Sequence, residues 1–341
     1  MVADMETYAT TNEIIDAAVE QVEPGTLRIC WELAGRGGSA AIYHGTSPDA
    51  IDRETPVAVS DYGCVDIDWL DPGMRHYFEI VSGKSRMLTA ERRVKLDGAV
   101  NFRDLGGYAA ADGRRIKWGR VFRADGLSGL SDADLLRLRQ MGIGRVVDFR
   151  TGPEAGNAPD RLPGDNGIAY IHLPVTHGKY DFSEAVKRFR KGDTDWLTAD
   201  YMVDGYINNL ESFHRTWEAV IFELIDAEKG PLVFHCTGGK DRTGTCAALI
   251  LLAVGVPGET VIDDHQLSNI YIARLLPDLY QMMRDNGIDP DRVFPYLTAP
   301  RDCIEAVIDH ISSHYGSARE YFLRKTAVTE KHLERLEEVL F

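Results

Sequence analysis

Cysteine is scarce in this 341-residue chain: there are five, and no two form a Cys-x-x-Cys pair. An odd number at wide spacings predicts neither a zinc site nor a disulfide framework. Positive charge is also in deficit, with 38 Lys and Arg against 53 Asp and Glu and a formal net charge of −15. Sequence-independent nucleic-acid binding needs the opposite balance, so that class is excluded. Long apolar runs are missing too. The longest, Cys246–Val256, is well short of the roughly 20 residues that cross a bilayer and reads as a core helix. The first residues, MVADMETYATTNEI, lack the basic and apolar regions of a secretory leader. A cytoplasmic location is therefore the default expectation, with leaderless export left open. What is present is ordinary globular composition, 44% hydrophobic and 27% charged, long enough for two domains.

Residues 1–96 read as one domain and 97–341 as another. In the first, the segment 1–20 is acidic and weakly periodic, with no assigned role. Leu27–Leu33 alternates with period two, and short strands fit Ala40–His44, Val57–Val59, Cys64–Trp69 and His76–Val81. Short strands with frequent turns predict a β-sandwich. Trp31, then Leu70-Asp-Pro-Gly73 leading into His76–Val81, resembles a fibronectin type III domain. That family usually carries a tyrosine at the corner after this turn, and here His76 stands in its place with Tyr77 beside it. A spacer or packing role is expected for this domain, with a protein partner as the alternative.

The second domain alternates β and α. Strands are predicted at Arg120–Phe122, Arg145–Phe149, Ile168–Leu173 and Pro231–His235. Helices are predicted over Ser131–Met141, most of 181–228, Thr243–Gly255, and throughout from Gly258 to the end. Its informative stretch runs from Pro231 to Gly244, where an apolar strand delivers Cys236 to a loop that opens a helix, with Arg242 six residues on. Unpaired N–H groups at the helix start can ring an anion. Gly238 and Gly239 let the backbone curl, and Arg242 supplies a planar fork for two phosphate oxygens. The same field favours a thiolate at Cys236. Cys30 and Arg36 share the spacing, but a strand and a glycine turn separate them and no helix follows.

His235-Cys236-Thr237-Gly238-Gly239-Lys240-Asp241-Arg242-Thr243-Gly244 resembles the signature loop of cysteine-dependent protein-tyrosine phosphatases. The Gly-Lys-Asp-Arg variant is similar to the bacterial family of the mycobacterial protein-tyrosine phosphatase B type. Asn101–Tyr108, Trp118–Arg123, Leu127-Ser128, Val147–Arg150 with Glu154, Tyr201-Met202 and Asp264–Asn269 continue the likeness over roughly 98–341. The resemblance implies a tyrosine-phosphatase-like α/β catalytic domain that hydrolyses phosphotyrosine through a phosphocysteine, without metal or other cofactor. Phosphoserine, phosphothreonine or phosphoinositide monoesters are further expected substrates. Cys236 is the implied nucleophile. The loop from Thr237 through Lys240 and Asp241 to Arg242 would hold the phosphate, and Thr243 would hydrogen-bond the sulfur. The general acid stays open among Asp241, as in the similar loop of myotubularin-like lipid phosphatases, His177 after Leu173-Pro174, and Asp181.

Each of these residues also has a plainer reading. Asp241 could cap the helix, Lys240 could be a solvated charge, His235 could hold the loop, and Arg103 with Asp104 could pin the domain's first loop. Asp148 and Arg150 read as structural. The basic, aromatic stretch Lys179–Lys191 reads as an amphipathic helix or as a lid meeting an anionic substrate or a membrane. The rival functions are an adaptor that binds phosphate without turnover, a phosphoinositide-specific phosphatase, and rhodanese-type sulfur transfer.

Overall fold

The computed structural model describes residues 12–35, 38–164, 167–176 and 182–341. The chain divides into two compact units, residues 1–94 and 95–341.

Among the described residues the first unit has eight strands: β1 (Ile14–Glu23), β2 (Thr26–Leu33), β3 (Ala40–Gly45), β4 (Ile51–Asp52), β5 (Ala58–Ser60), β6 (Cys64–Ile67), β7 (Tyr77–Ser82) and β8 (Ser85–Ala90). One antiparallel sheet runs β1-β2-β6. The other runs β4-β3-β7-β8, with β5 also on β3. Alternation along β2 turns Leu27, Ile29 and Trp31 inward, where they meet Ile42, Phe78 and Ile80 from the other sheet in one core.

Three strands of this unit lie outside the sequence reading: β1, β8 and the two-residue β4. In β1 the register shifts between Ile14 and Asp16 and again between Gln21 and Glu23. Such irregularities break the period of two that a pattern search relies on. The strand β8 returns from β7 through a two-residue turn at Gly83-Lys84, with Gly83 at φ +59°. His76 Nε2 lies 2.7 Å from the carbonyl oxygen of Asp71, and Tyr77 beside it is buried.

One expectation is overturned. Cys30 and Cys64 form a disulfide across a sequence separation of 34. They are directly opposed in the β2–β6 register. Cysteine number and spacing carry no information about that register, so a single cross-strand bond was invisible to them.

The second unit contains β9 (Arg103–Asp104), β10 (Val121–Ala124), α1 (Asp132–Gln140), β11 (Arg145–Asp148), α2 (Gly152–Asn157), β12 (Ala169–His172), α3 (Phe182–Arg190), α4 (Ala199–Ser212), α5 (His214–Leu224), β13 (Leu232–His235) and α6 (Asp241–Ala253). It ends in α7 (Gly258–Ile272), α8 (Leu276–Asp285), α9 (Pro290–Leu297), α10 (Arg301–Tyr315), α11 (Ala318–Lys325) and α12 (Glu330–Leu340). The sheet order is β12-β11-β13-β10-β9, parallel except for β9 at the edge. β13 is central, and α6 leaves its carboxyl end by a five-residue loop. α6 is buried nearly all round, which explains its apolar sequence. It begins at Asp241, two residues before the sequence expectation, because the last residues of the Cys-x5-Arg loop form its first turn.

Candidate active site

The loop between β13 and α6 forms the floor of a cavity of about 360 Å³. Cys236, Thr237, Gly238, Lys240, Asp241 and Arg242 all line it. At the start of α6 the N-cap residue, Lys240, makes no side-chain cap bond, and Asp241 is the first helical residue after it.

The loop is held from behind by its carbonyls. Asn101 Nδ2 donates to the carbonyls of Gly238 (3.0 Å) and Gly239 (3.2 Å), and Arg123 donates to that of Gly239 (2.8 Å). Arg103, fully buried, donates to Asn101 Oδ1 and to Asp264 (3.0 Å), and Asp264 in turn pairs with Arg123 at 2.6 Å. Arg103 thus acts on the loop through Asn101 and Asp264. Asp104 faces elsewhere and accepts from the N–H groups of Gly106 and Gly119 at 2.8 Å each, so it pins the first loop of the domain. Gly239 is required where it stands: its φ is +68°, and a Cβ there would come within 2.5 Å of the Ala124 carbonyl oxygen.

Arg242 is nearly buried and oriented by Glu154, whose two oxygens each accept a guanidinium N–H at 2.8 Å. Burial alone would lower the Arg242 pKa, but the Cys236 sulfur, Glu154 and Asp241 outweigh it and raise it. Burial pushes the Glu154 carboxyl up, yet its bonds to Arg242, Thr151 and Thr237 prevail and bring it down to about 2. Sequence reasoning left Glu154 out of the site. The signal for it was Thr151-x-x-Glu154, a capping box at the start of α2 that fixes the carboxylate's position.

His235 is buried, with Nε2 2.8 Å from Asp160 and Nδ1 3.1 Å from the Cys236 carbonyl, so it holds the loop. Asp148, Asp160 and His235 lie close enough together to surround a cation. The Arg150 guanidinium already fills that role, at 2.8 Å from Asp148 and 2.7 Å from Asp160. Lys240 is not a solvated charge. Its Nζ sits 2.9 Å from Asp241 Oδ2 and 5.6 Å from the centroid of the Tyr296 ring. Thr243 is buried and its Oγ1 has no hydrogen-bond partner, so the expected bond to the sulfur is not made. His177 and Asp181, the other acid candidates, lie outside the described residues.

Asp241 accepts from the buried Tyr206 hydroxyl at 2.7 Å. Besides Asp241 and Glu154, the cavity carries the carboxylate of Asp125, which the sequence reading also missed. Its oxygens accept from the N–H groups of Val100 (3.0 Å) and Asn101 (2.9 Å), and burial pushes its carboxyl up despite them. Val186, Phe189 and Arg190 of α3 reach the cavity, and Ile272, Leu275, Leu276, Leu279, Met282 and Met283 make its far wall aliphatic.

A model of the tyrosine phosphatase family matches residues 94–341. This chain belongs to the tyrosine phosphatase family. It is 32% identical over 226 residues to a tyrosine-protein phosphatase of Cupriavidus necator, covering 66% of this chain and 81% of the relative. It is 30% identical over 279 residues to the triple specificity protein phosphatase PtpB of Mycobacterium tuberculosis, covering 72% of this chain and 98% of that protein. A tyrosine-protein phosphatase of Nostoc commune is 28% identical over 229 residues, covering 63% and 71% respectively.

Proposed function

We propose that this tyrosine phosphatase works through Cys236, with Asp241 as its proton donor. The observation that carries the reading is the burial of Cys236 in a loop whose carbonyls are tied back and whose arginine is locked by Glu154 over the same cavity. The Cys236 sulfur attacks phosphorus as the phosphorus–oxygen bond to tyrosine breaks, and the leaving oxygen takes the Asp241 proton. Water then attacks the phosphocysteine and gives a proton back to Asp241, and the sulfur departs as thiolate. Arg242 and the loop amides carry the equatorial oxygens in both steps.

The decisive experiment is phosphate release in EDTA from phosphotyrosine, phosphoserine and phosphoinositide substrates by wild type and Cys236→Ser. The reading expects turnover on phosphotyrosine that vanishes in the variant, and persistence of turnover would overturn it. The aliphatic cavity wall favours a second reading in which phosphoinositides are also substrates. For the N-terminal unit, the His76–Asp71 contact in the corner position supports a fibronectin type III-like sandwich. The Cys30–Cys64 bond favours an oxidising location over the cytoplasmic one expected from sequence. No described helix is long and apolar enough to cross a membrane.

A further inference from the structure

Asp241 is the end of a chain of hydrogen bonds that starts at a backbone group. On the segment between α9 and α10, the N–H of Ala299 donates to Asn269 Oδ1 at 2.7 Å, and its carbonyl accepts from Asn269 Nδ2 at 2.9 Å. A backbone N–H can only donate and a carbonyl only accept, so the Asn269 amide has one orientation. Asn269 Nδ2 also donates to Gln266 Oε1 at 3.1 Å, and Gln266 Nε2 donates to the Ala299 carbonyl at 3.0 Å. The Gln266 amide is fixed in its turn, with Nε2 3.2 Å from His265 Nδ1.

An amide nitrogen facing Nδ1 makes Nδ1 the acceptor. His265 is fully buried, and burial together with Arg123 brings its pKa down to about 3, so the ring is neutral at ordinary pH. Its one proton therefore sits on Nε2, which is 2.9 Å from the Tyr206 oxygen. With His265 donating to that oxygen, the Tyr206 proton is committed to Asp241 Oδ1. Lys240, Arg242, Tyr206, His265, Tyr296 and Cys303 are among the titratable and charged groups that face Asp241. Of these, Tyr206 is the neutral donor with a fixed direction.

From this the geometry points to Tyr206 as a positioning residue for the phosphatase reaction, set by the His265 tautomer, that holds the Asp241 carboxyl at Oδ1 while Lys240 Nζ lies 2.9 Å from Oδ2. In the first step the Asp241 proton passes to the leaving oxygen as the sulfur–phosphorus bond forms and the phosphorus–oxygen bond breaks. The carboxylate left behind keeps its Tyr206 bond and its Lys240 contact. In the second step the carboxylate takes a proton from the attacking water. The inference rests on Asp241 being the acid.

The test is a series of aryl phosphates from p-nitrophenyl to phenyl, assayed with wild type, Asp241→Asn, Tyr206→Phe and Gln266→Glu. Tyr206→Phe keeps the ring and removes the hydroxyl. Gln266→Glu replaces the donor to Nδ1 by an acceptor, which draws the His265 proton to Nδ1 and turns the Tyr206 proton towards Nε2. Both variants should lose about 10-fold or more on phenyl phosphate and much less on p-nitrophenyl phosphate, a part of the roughly 10²–10⁴-fold that proton donation contributes. The imidazole ¹⁵N shifts of His265 should report the Nε2–H tautomer in wild type and Nδ1–H in Gln266→Glu, which a merely structural role would not produce. Equal losses across the series in folded Tyr206→Phe, or a tautomer change in Gln266→Glu with an unchanged leaving-group dependence, would overturn the inference. If Tyr206→Phe does not fold, Gln266→Glu decides alone. A flat response of Asp241→Asn would instead remove Asp241 as the acid, a different failure.

Discussion

At the scale of single residues, the site depends on a few side chains whose partners were not adjacent in sequence. Cys236 and Arg242 were legible because their spacing, the preceding strand and the following helix are all local. Glu154 was not, because its function comes from meeting Arg242 across 88 positions. Glu154→Gln keeps the shape but loses one charge-assisted bond, so the guanidinium loses its fixed plane. We expect kcat/KM to fall on the order of 10-fold, since small misplacements of a positioning group are costly. The same carboxylate makes stability depend on acid. Its pKa is about 2 in the folded chain against an ordinary 4.5, so its contribution is complete above about 4.5 and lost as pH falls towards 2. Denaturant titrations at pH 6 and pH 3 should show a smaller drop for Glu154→Gln than for wild type. Gly239→Ala meets a backbone oxygen at 2.5 Å in a left-handed conformation. A loss of at least about 1–2 kcal/mol from the conformation alone is expected, read as a lowered denaturant midpoint together with loss of turnover.

At the scale of elements, α1 shows what local signals can do. Ser131 is its N-cap and Asp134 closes a capping box, as a start at Ser131 predicts. The structure adds what the pattern cannot show. Asp134 also accepts from the N–H groups of Asp97 and Gly98, both at 2.9 Å, tying the start of the second unit to the helix. Asp134→Ala should therefore cost more than an ordinary cap, at least about 2 kcal/mol by chemical denaturation. A loss within about 1 kcal/mol would mean that water replaces the carboxylate. Of the strands that pattern reading overlooked, β1 has its periodicity interrupted by register shifts, β8 is hidden behind a two-residue turn, and β4 and β9 are two residues long, too short to show a period. For helix α6 the apolar run was plain but its start was not, since Asp241 and Arg242 are charged residues of the first turn that lie outside the hydrophobic pattern.

For the molecule as a whole, the sequence correctly suggested β-rich and mixed α/β regions, because period two and period 3.6 are properties of contiguous segments. The pairing of Cys30 with Cys64 depends on sheet register and stayed hidden. Five cysteines minus this pair leave Cys236, Cys246 and Cys303 as thiols. Titration of unfolded, unreduced protein should thus count three thiols, and a count of five would show the bond absent under those conditions. Cys64→Ser should speed amide exchange in β2 and β6, consistent with the roughly 2–4 kcal/mol that such a bond contributes.

Because Asn101 and Arg123 grip the loop between β13 and α6 by its carbonyls, the loop would, on the proposed function, have little freedom left to lose when an oxyanion arrives. Capture of vanadate or tungstate should then be favoured by heat release, with only a small adverse entropy from ordering the protein. Asn101→Ala would slacken that grip. Its calorimetric signature should be a more unfavourable entropy at similar enthalpy, a change in how the anion is held that affinity alone would not reveal.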